Sequence, residues 1–144
     1  MSLVFKTRRT VRFGECDPAG VVYYPTYFNW FHQTMEAWFE EALGIPYAKM
    51  ITEYGFPAVE TSASYRAPVL MGETVEIHLS IEKLGGSSVR FRMVVMGEEQ
   101  KIRTIGMVQT VCIPIKEGQF QFQSSQLPTE LRTKMIAYVL TTEQ

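Results

Sequence analysis

Histidine and cysteine are scarce in this sequence, with two of each among 144 residues: His32, His78, Cys16 and Cys112. Neither histidine belongs to an H-x-x-x-H pattern or stands beside a cysteine pair, so no metal site is expected. The cysteines lie far apart and form no C-x-x-C, which argues against a disulfide framework and for a reducing cytoplasm. Also missing are G-x-S-x-G, G-x-x-x-x-G-K-[ST] and G-x-G-x-x-G, and with them the expectation of a nucleophile elbow, a P-loop or a dinucleotide fingerprint. No run approaches the roughly 18 apolar residues that span a bilayer, and the first ten residues lack the roughly 7–15 apolar residues of a secretory leader. No membrane partner is expected. Charge of one sign is absent too: 14 Lys+Arg stand against 15 Asp+Glu, leaving no field to draw the chain to nucleic acid.

What is present suits one domain over residues 1–144. Hydrophobic residues make up 46% of the chain, and no repeat, low-complexity tract or linker divides it. A chain of this length buries roughly 68–70% of its unfolded surface and needs no covalent staple.

Residues 4 to 13 read as a strand, with Phe5, Thr7, Arg9, Val11 and Phe13 on one face and Lys6, Arg8 and Arg12 on the other. From Pro25 the period changes. Tyr27, Phe28, Phe31, Met35, Trp38, Phe39, Ala42 and Leu43 recur at spacings of three and four, which predicts one long half-buried helix closed by Gly44 and Pro46. A weaker helical turn is expected from Tyr47 to Tyr54. Four strands then follow, Ala58 to Arg66, Thr74 to Leu84, Ser88 to Met96 and Ile102 to Ile115, separated by the turn chemistry of "APVLMGE", "GGS" and "GEEQ". "VEIHLSIEKL" alternates Val75, Ile77, Leu79 and Ile81 with Glu76, His78, Ser80 and Glu82, as a strand with one wet face does. A short C-terminal helix with Thr129 as N-cap closes the chain. One helix against a five-stranded antiparallel sheet makes an α+β domain in which the sheet curves round a wide aromatic stripe.

The stretch "FGECDPAGVVYYPTYF" concentrates the chemistry. Asp17 sits among Pro18, Ala19, Gly20, Val21 and Val22, whose small or apolar side chains would partly desolvate its carboxylate and favour general-base use. Just beyond, free N–H groups at a helix start carry positive partial charge. A carboxylate and backbone donors converging on one spot can activate water and stabilise an oxyanion. The competing reading is an Asx-Pro turn in which Asp17 only shapes the loop. Cys16 lacks the neighbouring base that a thiol nucleophile needs, so packing is the expectation there. His32, His78 and Glu36 read as solvated or hydrogen-bonded side chains, and "LGGSSVRF" as a hairpin turn, not a phosphate loop.

"FGECDPAGVVYYPTYFNWF" resembles the signature of the 4-hydroxybenzoyl-CoA thioesterase family of hotdog-fold proteins. "EEALGIPY", "ASYRAPVLMGETVEI" and "IEKLGGSSVRFRM" keep the family's order over about 120 residues. The resemblance implies a hotdog fold, a five-stranded curved antiparallel sheet wrapped around one long helix. It implies subunits joined edge to edge as a homodimer or homotetramer, with acyl-CoA sites at the interface. It also implies that Asp17 is the catalytic carboxylate, as nucleophile through a mixed anhydride or as general base on water. The backbone N–H of Tyr24 then polarises the thioester carbonyl, with no cofactor.

The same resemblance sets Pro57, Ala58 and Val59 in the acyl pocket, opposite Asp17 across the dimer, with Glu60 beside them. Where the founding aroyl-CoA enzyme carries basic residues for the CoA phosphates, this chain has Gly85-Gly86-Ser87 followed by Ser88. Ser88 is the candidate there for a hydrogen bond to pantetheine or nucleotide, while Lys83, Arg90 and Arg92 read as a solvated strand face. Two alternatives stand on the same fold: an acyl-carrier-protein thioesterase and a non-catalytic acyl-thioester binder. A hydratase would need a histidine in or after the Asp17 loop, and none is there.

Overall fold

In the computed structural model, which describes residues 2–141, five strands form one antiparallel sheet. They are β1 (Phe5–Thr10), β3 (Ala58–Tyr65), β4 (Thr74–Leu84), β5 (Ser88–Met96) and β6 (Ile102–Val111), in the order β1-β4-β5-β6-β3. The alternation read in β4 is the core face: Val75, Ile77, Leu79 and Ile81 are all buried against the helix. On β5 the same face carries Val89, Phe91, Met93 and Val95.

Helix α1 (Tyr24–Ala37) lies on that face and continues into a π-helical turn over Trp38–Ala42. The stripe lands where its spacing predicts, with Tyr27, Phe31, Met35, Trp38, Phe39 and Leu43 buried and Phe28 and Ala42 packed at its margin. Trp30 and Thr34 extend it. The wider π turn lets two successive rings, Trp38 and Phe39, both reach the interior. Gly44, at φ +74°, ends the helix in the left-handed conformation that glycine adopts without strain, and Ile45 N–H donates back to the Phe39 carbonyl.

The sheet accepts this helix closely at one point. On β6, Gly106 presents bare backbone to the ring of Phe31, whose edge occupies the space a Cβ would need. Any side chain there would hold helix and sheet apart.

Four expectations need correction. The first strand ends at Thr10, not Phe13, because the Glu15 carboxylate accepts from Arg12 N–H at 2.8 Å and pulls residues Phe13–Glu15 into a 3-10 turn that leaves Phe13 83% exposed. The expected strand from Ile102 to Ile115 is two strands. Cys112 N–H donates to the Ser87 carbonyl, and β7 (Ile113–Lys116) peels away to pair with β2 (Tyr54–Gly55) and β8 (Gln119–Phe120) in a second sheet, β2-β7-β8. The helical turn after Pro46 is only α2 (Tyr47–Met50) before β2 begins. Thr129 is not the N-cap of α3 (Thr129–Met135). The extended Pro128 fills that position, and Thr129 is the first helical residue, its carbonyl accepting from Thr133 Oγ1.

Candidate active site

The Asp17 loop is a small hairpin. Asp17 N–H donates to the Val21 carbonyl at 2.9 Å, Gly20 N–H to the Asp17 carbonyl at 2.9 Å, and Cys16 bridges Val22 in antiparallel register. Gly20, at φ +78°, makes the reversal possible without strain. The hairpin is seated on the segment before β4, where Val22 N–H donates to the Val69 carbonyl and Met71 N–H to the Gly20 carbonyl. That segment is held by a half-shielded ion pair, Glu73 with Arg103, and by Arg103 donating to the Pro68 carbonyl at 2.7 Å.

Asp17 is half-buried, and its two oxygens differ. Oδ1 accepts from Ala19 N–H at 2.9 Å, the Asx turn that the Asp-Pro sequence favours, while Oδ2 has no partner among the described residues. The turn and a free carboxylate oxygen therefore coexist. Tyr24 opens α1, with Tyr23 N–H tied to the Glu15 carbonyl and Thr26 N–H to the Tyr23 carbonyl. Tyr24 N–H finds no acceptor among the described residues, and Pro25 beside it has no N–H to offer. A free carboxylate oxygen and a free helix-start donor thus flank the same two-stranded hairpin.

Cys16, between Glu15 and Asp17, has its thiol pushed above the ordinary value by burial and by those two carboxylates, so it stays protonated. Its Sγ contacts the Arg12 carbonyl at 3.6 Å.

A cavity of about 900 Å³ lies between the helices and the sheet. Phe28, Phe31 and Met35 of α1 form one wall, Met93 and Val108 the opposite one, and Ile51 and Phe120 flank its mouth. Pro57 and Ala58 line this cavity; Val59 does not, and its side chain is 60% exposed. His32, expected to be solvated or hydrogen-bonded, is half exposed and bonded to Glu36, and it also borders the cavity. Its Nε2 meets Glu36 Oε1 at 2.8 Å, and its ring stands edge-on to Tyr47 at 5.8 Å between centroids. The signal for this was the position of His32 next to Phe31 and Phe28, on the margin of the apolar stripe.

Within one chain, Asp17 and Tyr24 stand at the Tyr65 end of β3, where Tyr65 packs on Tyr27 at 5.4 Å. Pro57 and Ala58 stand at the other end. Eight strand residues separate the two ends by roughly 25 Å. Ser88 begins β5 at the Ala58 end, away from the cavity, with its Oγ against Gly85. The hairpin it belongs to has no basic residue of its own in Gly85-Gly86-Ser87, but α3 brings Arg132 to it, donating to the Gly85 carbonyl at 2.7 Å. No local signal in the sequence links these residues, which are 47 positions apart. Arg90, assigned to a solvated face, donates to Gln109 at 2.8 Å across to β6, and His78 meets Glu76 at 3.1 Å. Glu60 is exposed on β3.

β3 itself is an open edge. Every residue of it but Ala63 is exposed, and apart from Glu60 and a bulge beside it the strand is Ala, Val, Thr, Ser and Tyr, with neither lysine nor proline to deter another strand. No helix among the described residues is long and apolar enough to cross a membrane.

Comparison with known proteins agrees with this architecture. The family profile described as the thioesterase-like superfamily matches residues 11–135. A 1,4-dihydroxy-2-naphthoyl-CoA hydrolase of Prochlorococcus marinus (strain NATL2A) is 38% identical over 103 residues, which are 64% of this chain and 66% of that protein, just under two thirds. A protein of the same name from Gloeothece citriformis is 33% identical over 140 residues, 94% of this chain and 93% of the relative. Among solved structures, a gentisyl-coenzyme A thioesterase superposes with a TM-score of 0.77 at 26% identity, over 91% of this chain and 98% of that one.

Proposed function

This chain belongs to the thioesterase-like superfamily and has the hotdog fold, and from that premise we propose that it hydrolyses an aromatic acyl-CoA thioester at a site completed by a second copy of itself. The observation that carries this reading is a free Asp17 oxygen on the hairpin, followed a few residues on by the free N–H of Tyr24 at the start of α1. Hydrolysis needs a group that delivers oxygen to the thioester carbon and a donor that receives the charge developing on the carbonyl oxygen. Asp17 fills the first role, by deprotonating water or by attacking to form an anhydride that water then cleaves. Tyr24 N–H, at the positive end of α1, fills the second. The carbon–sulfur bond breaks as the tetrahedral centre collapses, and the leaving thiolate takes up a proton.

The acyl group needs a pocket, and the cavity of about 900 Å³ is far from Asp17 of its own chain. Antiparallel pairing of β3 with its copy, about a two-fold axis near the strand's middle, would bring Ala58 of one chain to Tyr65 of the other. The cavity of one copy would then open beside Asp17 of its partner. Pro57 and Ala58 are the pocket residues in this reading, with Val59 at the seam between copies and Ser88 on the path of the CoA moiety. An aromatic acyl group fits a wall of phenylalanine and methionine, and the relatives above are named for hydrolysing naphthoyl and gentisyl thioesters of CoA.

The cavity's size favours a second reading. At about 900 Å³ it stands near the upper end of the range of roughly 300–1,000 Å³ seen for small-molecule pockets. A long apolar acyl chain would use that volume more fully than one ring system.

The test is release of free CoA thiol from acetyl- to palmitoyl-CoA, benzoyl-CoA, hydroxybenzoyl-CoA and dihydroxynaphthoyl-CoA, with wild type beside Asp17→Asn. Aromatic thioesters should be hydrolysed fastest, and the folded variant should lose a factor of about 10²–10⁴ in rate. Preference for palmitoyl-CoA would move the assignment to the long-chain reading. Hydrolysis of nothing in the panel, or a wild-type rate in Asp17→Asn, would overturn the proposal.

A further inference from the structure

Two residues before Asp17, Glu15 makes three polar contacts through its carboxylate. Its Oε2 accepts from Trp30 Nε1 at 2.7 Å and from an Arg9 guanidinium nitrogen at 3.0 Å, and its Oε1 accepts from Arg12 N–H at 2.8 Å. Its main-chain carbonyl accepts from Tyr23 N–H at 2.9 Å and from Thr26 Oγ1 at 3.2 Å. The side chain is 19% exposed, and Arg9 is itself stacked over the Trp30 ring at 5.0 Å. Arg9 also donates to Gln33 at 2.8 Å, so the cation is anchored twice on α1.

These contacts divide by position. Through its carboxylate, Glu15 is tied to β1, to the turn after it and to the middle of α1. Through its carbonyl, it is tied to residues on both sides of Tyr24. The helix-start donor is therefore fastened to a residue that stands two positions before the acid in the chain, and none of the site assignments above includes it. We propose that Glu15 is a positioning residue for the thioesterase reaction, setting the distance and angle between the Asp17 carboxylate and the Tyr24 N–H. This inference rests on the roles proposed above for Asp17 and Tyr24. Neither oxygen of Glu15 is spare, so an amide in its place loses an acceptor and puts N–H groups against a donor.

Displacement of a reacting group by about 1 Å costs on the order of 10²-fold in rate. Glu15→Gln is expected to lower kcat by roughly tenfold to a hundredfold, with KM changed by less than about threefold, because the substrate pocket lies elsewhere. Residues that act through one another are not additive. In an Asp17→Asn background, Glu15→Gln should therefore lower the residual rate, measured at high enzyme concentration, by no more than about twofold. Trp30→Phe, which removes one donor and keeps the ring's bulk, should show the same pattern more weakly, and it carries the test if Glu15→Gln fails to fold.

The readouts separate the two claims. A large loss in Asp17→Asn together with a wild-type kcat in folded Glu15→Gln and Trp30→Phe would overturn the positioning role alone. So would the same fold-loss from Glu15→Gln with and without Asp17. A wild-type rate in Asp17→Asn would instead overturn the assignment of the acid, and the positioning role with it.

Discussion

Replacing Gly106 with alanine sets two opposed effects against each other. A glycine within a strand is usually a weakness, and alanine in its place stabilises by about 0.4–1 kcal/mol by restricting the unfolded chain. At Gly106 the new methyl would meet the Phe31 ring, with Cζ at 2.6 Å and Cδ2 at 3.1 Å from the Cβ position. Phe31 is 1% exposed and has Phe28 edge-on at 5.8 Å, so its one open direction is into the large cavity. Forcing extra bulk into a packed core typically costs about 1–3 kcal/mol. The net expectation is a loss of about 1–2 kcal/mol. At roughly 4 °C per kcal/mol for a chain of this size, the melting temperature should fall by about 4–8 °C.

Gly55 supplies the matched comparison. A Cβ there would also stand 2.5 Å from a phenylalanine, Phe120, but that ring is 51% exposed and free to swing away. Gly55→Ala should lie within about 0.5 kcal/mol of wild type. Thermal unfolding followed by circular dichroism, with both variants and wild type in one buffer, reads the difference directly. A Gly106→Ala protein that melts at or above wild type, or one that is indistinguishable from Gly55→Ala, would refute the claim that close approach of Phe31 requires glycine.

The exposed edge and the half-buried acid each lead to a further expectation. Ser62→Lys with Ser64→Lys sets like charges near the centre of the β3 edge. The molar mass by light scattering should drop to that of one chain, with hydrolysis lost in parallel, and a fully active monomer would sink the shared-site reading. Burial alone would raise the Glu15 carboxyl, but hydrogen bonds from Trp30 and Arg12 N–H, with the Arg9 charge, hold it below the ordinary value of 4.5. A carboxyl depressed in the folded state adds stability above its unfolded value that is lost as pH falls through the folded one. The urea midpoint should therefore stay level down to about pH 5 and then decline, and Glu15→Gln should be less stable near neutrality with a shallower acid decline. A variant that matches wild type at every pH would contradict this linkage.

The sheet and the long helix were legible because their signals are local and periodic. Val75 to Ile81 alternate at period two, and Tyr27 to Leu43 recur at three and four, so the core positions are buried as the pattern predicts, although Ser80 is buried on the face expected to be wet and Trp30 and Thr34 are buried beyond the expected stripe. The misplaced boundaries depended on side-chain and backbone partners that hydrophobic periodicity does not register. Phe13 continues the apolar alternation, but the chain turns there because Glu15 reaches back to Arg9 and Arg12. β7 leaves the main sheet because the Ser87 carbonyl intercepts Cys112 and Tyr54 pairs with Pro114. In the site, the Asx turn at Asp17 and the start of α1 could be read from adjacent residues. The cavity's far wall at Met93 and Val108 and the delivery of Arg132 to Gly85 could not, since both arise from packing between segments far apart in sequence.

The distance along β3 between the acid hairpin and the apolar cavity bears on how such a scaffold acquires new substrates. No hydrogen bond among the described residues joins the cavity wall at Met93, Val108 or Phe120 to Glu15, Asp17 or Tyr24. Substitutions that widen, narrow or reshape the wall can accumulate without disturbing the hairpin. On the proposed roles, wall positions outside α1, such as Met93, Val108 and Phe120, are those where substrate preference could change while Asp17 and Tyr24 stay as they are.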